Sequence, residues 1–224
     1  MKKYLIILIF QLLVSNDIIK YEVSLYKVPM AEVTINYENT FFQNKEAINL
    51  TFKTHTNQFA SKIFKVNNDY ETIIEPNNFN ILSFKKNTYQ PGLSNQLHTI
   101  NKGDNTIYVN TDIIIPKNYF NIFSLLYYLT ITPFEEVKTN IKLEREALLY
   151  DCIIKKNKTE SFYEYELIFD LINKEQTPII ENTDMFTWAI FKENSYKKII
   201  VDKNNQIKSC VFTFGLTSLR ANLK

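Results

Sequence analysis

Glycine and histidine are scarce in this chain. Three of its 224 residues are Gly and two are His, and the GxGxxG motif, the P-loop and the GxSxG nucleophile elbow are all absent. The histidines, His55 and His98, have no carboxylate or cysteine at the spacing of a zinc motif. The sequence therefore predicts a protein that is not an enzyme, with no catalytic residue, no cofactor and no metal.

A strong charge of one sign is also lacking. The 26 basic and 24 acidic residues leave a net charge of +2, whereas nucleic-acid binders carry a basic patch or stripe. Arg145 and Arg220 are the only arginines, so the planar side chain that is favoured for phosphate groups is rare. We expect no nucleic-acid partner.

The apolar run at the N-terminus is short. Two lysines precede eleven almost wholly apolar residues, Tyr4–Val14, and Ser15 follows. This order is typical of a secretory signal, and a transmembrane helix would need about 20 apolar residues. We predict a signal peptide over residues 1–15 and a single exported domain over residues 16–224, periplasmic or secreted, with no transmembrane anchor beyond the signal segment. A buried N-terminal strand or helix of a cytosolic protein is the alternative.

The chain has two cysteines, Cys152 and Cys210. An even number of cysteines in an oxidising compartment permits a disulfide. Both residues lie in apparent strands, where a free cysteine also packs well as a small hydrophobic residue. The sequence thus allows a Cys152–Cys210 disulfide without showing that the two side chains face each other.

Apolar and polar residues alternate along much of the chain, as expected for antiparallel strands with one buried and one wet face. Asn, Asp, Pro and Gly occupy the breaks between these segments, where they favour turns. The predicted strands are Tyr21–Val28, Ala31–Glu38, Ala47–Thr54, Ser61–Val66, Tyr70–Glu75, Phe79–Phe84, Thr106–Thr111, Leu148–Ile154, Tyr163–Leu167, Phe186–Phe191, Lys197–Val201 and Gln206–Phe214. About a dozen short strands predict a mostly β fold, a curved antiparallel sheet or an open β-barrel.

One segment departs from the alternation. Tyr119–Leu129 is almost continuously apolar and lies between Pro116 and Pro133. Its length predicts a short buried helix that plugs or flanks the sheet, with a buried strand as the alternative because periodicity does not separate the two in so apolar a run. The charged stretch Glu135–Glu146 is either a second helix or a long hairpin connection.

Aromatic residues are abundant, with 17 Phe and 14 Tyr. Small barrels can hold one ligand inside, so these side chains line either an apolar ligand cavity or a filled core. Glu164 and Glu166 are expected on one strand face that points to water rather than in a catalytic pair.

Several short segments form a set that is typical of one family. They are Tyr21-Glu-Val-Ser-Leu-Tyr, Met30-Ala-Glu-Val-Thr-Ile, Ile63-Phe-Lys-Val-Asn-Asn-Asp-Tyr-Glu-Thr, Ile122-Phe-Ser-Leu-Leu-Tyr-Tyr-Leu, Trp188, Lys197–Asp202 and Gly215 through Leu219. The most specific part is Ser-x-x-Tyr-Tyr, with Ser124, Tyr127 and Tyr128. The chain resembles the domain of unknown function 3108 family of exported bacterial proteins, found largely in Gram-negative lineages. It departs from that family at Ala31, where Gly is usual, and at Thr130, where Arg is often found.

The resemblance implies an exported β-rich domain without an established activity, and therefore no catalytic residues. The leading hypothesis is an exported, non-enzymatic domain that binds an apolar ligand, such as a lipid or acyl chain, or an envelope protein. The alternative is a structural or protein-interaction module of a cell-envelope complex. A hydrolytic enzyme would require two or more of His55, His98, Cys152 and Cys210 to meet an acid in one cleft.

Overall fold

The computed structural model describes residues 18–224, and the predicted signal peptide, residues 1–15, lies outside them. The described residues form one antiparallel sheet with two α-helices. Its strands are β1 (Ile19–Leu25), β2 (Val28–Phe42), β3 (Lys45–Thr56), β4 (Asn67–Ile74), β5 (Ile81–Gln90), β6 (Leu93–Lys102), β7 (Asn105–Tyr108), β8 (Ile114–Pro116), β9 (Asn140–Arg145), β10 (Leu148–Lys158), β11 (Phe162–Leu171), β12 (Tyr196–Asp202), β13 (Ile207–Phe214) and β14 (Thr217–Leu223). The helices are α1 (Ile122–Ile131) and α2 (Met185–Phe191).

Every strand pairs with its neighbours in sequence, except at one break between β8 and β9. The first and last strands pair with each other in the middle of the sheet, with Tyr21 opposite Leu223. The sheet is curved but not closed, and β8 and β9 are its two edges. Phe120 partly covers the edge of β9, because its N–H donates to the Lys142 carbonyl at 2.9 Å. The predicted mostly β fold, a curved antiparallel sheet or open β-barrel, is thus confirmed.

The two helices close opposite ends of this barrel. The β1–β2, β3–β4, β5–β6 and β13–β14 connections all lie at one end, as the strand registers show. Helix α2 connects β11 to β12 at this same end, which is called the α2 end below. Helix α1 lies between β8 and β9 and inserts from the other side. Neither α-helix of the described region is long and apolar enough to span a lipid bilayer.

Helix α1 confirms the prediction of a buried helix over Tyr119–Leu129 and excludes the strand alternative. Asn121 begins it: its Oδ1 accepts from the Ser124 N–H at 2.8 Å, and Ser124 Oγ accepts from the Asn121 N–H at 3.0 Å. This reciprocal pair is a capping box. The Asn121 amide also donates to Thr72 Oγ1 at 3.0 Å, which joins the helix start to β4.

Phe123 of α1 is the centre of the aromatic core. Its ring centroid lies 4.7 Å from Phe52 and 4.7 Å from Tyr70, and its ring is stacked 6.4 Å from Phe186 of α2. Aromatic pairs of this kind contribute about 0.5–1.5 kcal/mol each beyond area burial. The core therefore runs unbroken from one helix to the other.

The remaining residues of the family-like motif also have structural roles. The Tyr127 ring lies edge-on to Tyr37 at 4.9 Å, and the Tyr128 hydroxyl accepts from the Lys138 N–H at 2.9 Å. Together with Ser124 they fix α1 inside the barrel.

Two predicted strands and one predicted connection are wrong. Phe186–Phe191 lies in helix α2, because Asp184 caps it: the Asp184 Oδ1 accepts from the Thr187 N–H at 2.9 Å. Ser61–Val66 is not a strand: it contains the end of a short 3-10 helix, followed by irregular chain. Glu135–Glu146 is neither a helix nor a loop throughout, since its second half forms β9. Strands β6 and β14 are not predicted, because polar residues interrupt their alternation. Strand β8 is not predicted either, because its three residues are too few to show alternation.

Replacement of Asn121 by Ala removes both the cap of α1 and the bond to Thr72. We expect a loss of about 1–3 kcal/mol in the free energy of unfolding, measured by urea denaturation. Asn39→Ala is the matched control, because Asn39 is exposed on β2 and should change stability by less than about 0.5 kcal/mol. Equal effects of the two substitutions would contradict the capping role.

Candidate functional site

An apolar cavity of about 250 Å³ lies at the α2 end of the barrel. It lies between β1–β5, β14 and the start of α2, and its wall is formed mainly by Val23, Leu25, Met30, Ala31, Phe64, Val66, Phe186 and Leu219. An apolar cavity of about 150 Å³ can stay dry and accept a benzene-sized molecule, and pockets for larger ligands begin near 300 Å³. The size of this cavity therefore suits a small apolar molecule or part of a chain.

Two buried amide groups, Asn68 and Gln90, also contribute to the cavity wall. Gln90 Oε1 accepts from the Met185 N–H at 3.3 Å and Asn68 Nδ2 donates to the Tyr70 hydroxyl at 3.1 Å. The other atom of each amide, Gln90 Nε2 and Asn68 Oδ1, has no hydrogen-bond partner among residues 18–224. Buried polar atoms are usually satisfied, so the wall of this apolar space contains one unpaired donor and one unpaired acceptor, both buried beneath its surface.

Next to the cavity lies a buried ion-pair cluster centred on Lys86. The Lys86 ammonium bonds to Glu146, lies 2.6 Å from Asp184 Oδ2 and donates to Thr183 Oγ1 at 3.0 Å. The side chains of Lys86, Glu146 and Asp184 are all at most 2% exposed. Arg145 adds a second positive charge, with Nε 3.4 Å from Glu146 Oε2.

Asp184 connects this cluster to helix α2. Its carboxylate accepts from the Tyr70 hydroxyl at 2.7 Å and from Thr187 Oγ1 at 2.6 Å. Burial raises the pKa of Asp184, but the Lys86 ammonium and the Thr187 hydrogen bonds outweigh burial, so the pKa lies below its usual value. The charged carboxylate thus holds the start of α2, and with it the cavity wall at Phe186, against β4 and β5.

The β9–β10 turn that supplies Glu146 has a strained backbone. Glu146 and Ala147 have φ angles of 53° and 70°, a left-handed conformation that two-residue hairpin turns require and that Asn-Gly adopts most easily. Neither residue is Asn or Gly, so the turn carries conformational strain. The bond from Glu146 to Lys86 is an interaction that offsets it.

Glu144, next to this turn, has an unusual pKa. It is buried and bonded to the Tyr108 hydroxyl. Burial raises the pKa of Glu144 to about 7, even though the Tyr108 hydrogen bond acts to lower it. The Tyr108 hydroxyl also accepts from the Ala147 N–H at 2.6 Å, so Glu144 and Tyr108 join β7 to the β9–β10 hairpin across the open side of the sheet.

Cys152 and Cys210 do not form the disulfide that the sequence allowed. Both are free and buried. Cys152 lies on β10 and Cys210 on β13, with β11 and β12 between them, a separation of roughly 14 Å across the sheet. A disulfide requires Cα atoms within about 7 Å. Burial raises the pKa of each thiol to about 12, which keeps both thiols protonated and unreactive near neutral pH.

The residues that a hydrolytic site would need do not converge. His55 lies exposed on β3, and His98 lies on β6 with Nε2 3.3 Å from Ser83 Oγ. Two strands separate them, and the two cysteines face the buried interior elsewhere. No group of three or more His, Cys, Asp or Glu in the described region could hold a metal ion.

Glu164 and Glu166 form ordinary surface ion pairs, as their place on one wet strand face suggests. Glu164 pairs with Lys198 at 2.7 Å, and Glu166 pairs with Lys155 at 3.3 Å. The Lys198 hydrogen bond lowers the pKa of Glu164, which leaves it charged and unsuited to act as an acid.

Sequence reasoning missed Lys86, Glu146 and Asp184. Lys85 and Lys86 are adjacent lysines, which resemble a solvated pair until the alternation of β5 assigns Lys86 to the inner face with Phe84. Asp184 did give a signal, because an Asp directly before an apolar run is typical of the N-cap of a helix. Glu146 gave none, because it follows a run of charged residues.

Replacement of Lys86 by Met leaves Glu146 and Asp184 buried without their main positive partner. We expect a loss of about 3–5 kcal/mol in the free energy of unfolding, measured by denaturant titration at neutral pH. Lys155→Met is the control, because the exposed Lys155–Glu166 pair should contribute about 0–1 kcal/mol. A loss of less than about 1 kcal/mol on removal of Lys86 would show that the cluster does not hold the fold.

Glu144 predicts a specific pH dependence of stability. Because its folded-state pKa is about 7 rather than the usual 4.5, its contribution is complete below about pH 4.5 and is lost as the pH rises through about 7. The pKa of His98 is lowered by burial and acts in the opposite direction. The test is the urea midpoint against pH for the wild type and for Glu144→Gln.

The difference between these two curves isolates Glu144, since His98 is common to both. We expect the difference to change between about pH 4.5 and pH 7, the usual and the folded-state pKa of Glu144. Glu164→Gln, which removes a carboxyl whose pKa is lowered, should show no change in this range. Parallel curves for the wild type and Glu144→Gln would contradict the raised pKa.

The comparisons with known proteins concern the fold alone. The chain matches no family model, so its membership of the domain of unknown function 3108 family is not confirmed. No curated protein matches it either. Among solved structures it is similar to a beta-barrel-like protein of the domain of unknown function DUF1849 from Brucella abortus, with a TM-score of 0.53 and 9% sequence identity over 92% of this chain and 95% of that one. The chain therefore has the fold of a β-barrel-like domain of unknown function.

Proposed function

We propose that this protein is an exported, non-enzymatic domain that binds a lipid or acyl chain in the cavity at the α2 end. The observation that carries the proposal is the apolar cavity of about 250 Å³. An apolar pocket of this size is unfavourable when unoccupied, because its lining either contacts water or loses dispersion contacts. An apolar occupant would restore those contacts. Export is supported by the sequence pattern of residues 1–15.

The two unpaired amide atoms favour an occupant with a neutral polar group, which each side chain would meet after turning towards the cavity, since neither atom has exposed surface there. Gln90 Nε2 can donate to it and Asn68 Oδ1 can accept from it. A neutral group that both donates and accepts, such as a hydroxyl, an amide or a protonated carboxyl, satisfies both atoms. Lys86 is fully engaged by Glu146 and Asp184, so no free cation of this cluster is left for an ionised carboxylate.

Two measurements test ligand binding. Extraction of the purified protein with organic solvent, followed by mass spectrometry, should show a co-purifying lipid or fatty acid. The neutral probe N-phenyl-1-naphthylamine should gain fluorescence on binding the protein and be displaced by added fatty acid or fatty alcohol.

Ala31→Phe should weaken probe binding by about tenfold or more, since the new ring occupies the space that the ligand needs. Thr34→Phe is the matched control, because it adds the same ring to β2 on the opposite face. A protein without extractable lipid, whose probe fluorescence is the same in both variants, would contradict the proposal and favour the envelope interaction module.

A further inference from the structure

The segments around the cavity at the α2 end share an unusual surface. Large apolar side chains are exposed on four of them: Tyr26 and Val28 after β1, Phe59 and Ile63 between β3 and β4, Met185 and Trp188 on α2, and Leu216 between β13 and β14. These seven residues are called the mouth face below. Leu216 is 95% exposed, Ile63 77% and Phe59 64%. Such side chains usually mark a surface that contacts a partner or a membrane.

The mouth face is continuous with the cavity. Met185 lines the cavity and is also exposed, while Met30 and Phe64, which line it too, are only partly buried. The wall of the cavity therefore reaches the surface among the mouth-face residues, and a molecule that covers this face lies over the cavity.

A turn conformation and two side-chain contacts fix the positions of the mouth-face residues. The β13–β14 turn places Gly215 at a φ of 56°, which glycine adopts without strain, and leaves Leu216 at its tip. The Tyr26 hydroxyl is hydrogen-bonded to Thr217 Oγ1 at 2.9 Å, so this turn is joined to the β1–β2 turn. The Trp188 ring lies edge-on to Phe214 at 4.7 Å, which joins α2 to β13.

Four exposed lysines lie in the mouth-face segments, and the exposed Glu193 borders them next to Lys192. Lys27, Lys62, Lys65 and Lys192 are exposed in residues 26–30, 57–66 and 185–192. These segments, together with residues 214–218, contain no Asp or Glu. The chain as a whole has nearly equal numbers of acidic and basic residues, so a region with four lysines and one bordering acid is more basic than the chain as a whole.

We propose that the mouth face docks on an anionic lipid bilayer. Trp and Tyr are enriched at the level of the headgroups, aliphatic side chains insert below it, and each lysine near an anionic surface strengthens binding. The mouth-face segments have all three kinds of side chain. The aromatic ones are Trp188 and Tyr26, the aliphatic ones include Leu216 and Ile63, and the four lysines supply the positive charge. Docking in this orientation places the cavity against the lipid from which an apolar ligand would enter.

Vesicle flotation tests the docking. The full chain should float with vesicles of phosphatidylcholine mixed with phosphatidylglycerol, and much less with vesicles of phosphatidylcholine alone. Raising the salt concentration above about 0.15 M should weaken the binding, because it screens the lysines. All variants carry the same N-terminus, so any contribution from residues 1–17 cancels between them.

Two sets of variants distinguish the mouth face from other surfaces. Ile63→Ser with Leu216→Ser, and separately Lys27→Gln with Lys62→Gln and Lys65→Gln, should each lower binding by about tenfold or more. The matched controls are Phe41→Ser with Ile153→Ser, exposed residues elsewhere, and Lys45→Gln with Lys102→Gln and Lys203→Gln. The controls should bind as the wild type does.

The proposal is overturned if the wild type fails to float, or if the mouth-face variants and the controls bind equally. It is also overturned if the wild type is a dimer in light scattering that the Ile63→Ser and Leu216→Ser changes dissociate, because the face would then be covered by a second copy. Ala31→Phe, which fills the cavity, should still float. The vesicle experiment therefore tests membrane docking independently of ligand binding.

Discussion

The pairing of Lys86 with Glu146 and Asp184 is the constraint on which the arrangement of the barrel depends. An ammonium group at 2% exposure is tolerated only when charged partners replace water. Its two partners are far apart in sequence. Glu146 lies in the β9–β10 turn, and Asp184 is the N-cap residue of α2. One side chain on β5 therefore fixes the hairpin next to the sheet edge and the helix that covers the α2 end.

The position of α2 in turn determines which part of the barrel interior is packed with side chains and which part contains the cavity. Helix α1 fills the other end, and Phe123 and Phe186 are stacked where the two helices meet. Beyond Phe186, towards the surface, the apolar cavity occupies the space beside β1–β3. Aromatic residues thus do both things that the composition allowed: most of them fill a core, and Phe64 and Phe186 line a cavity.

The sequence predicted the architecture well because alternation is a local signal. Segments such as Ala31–Glu38 have one apolar face, and an antiparallel sheet is the structure that buries it. Helix α2 was missed because a run of seven residues is too short for its period to be read, although Asp184 marked its start. Lys86 was missed for a different reason: only the register of β5 against its neighbours shows that it points inward.

The sequence allowed a cavity but did not predict its position or its lining, because its walls come from residues that are distant in sequence. Val23, Phe64, Phe186 and Leu219 meet only after the whole sheet has formed. The same is true of Asn68 and Gln90, which in the sequence look like ordinary polar residues of a strand. In contrast, the charge pattern of the mouth face is visible in the sequence once the topology shows which loops lie together.

The pairing of β1 with β14 has a consequence for how this chain folds. Both halves of the sheet are ladders of hairpins, which form from local contacts, but the joint between them unites residues about as far apart as the chain permits, with Tyr21 opposite Leu223. Contacts of such separation form late and slowly. Until the last strand is in place, β1 and β13 are both open edges, which can pair with other chains. Loss of Thr217–Leu223 alone would therefore leave two half-sheets in place of one barrel.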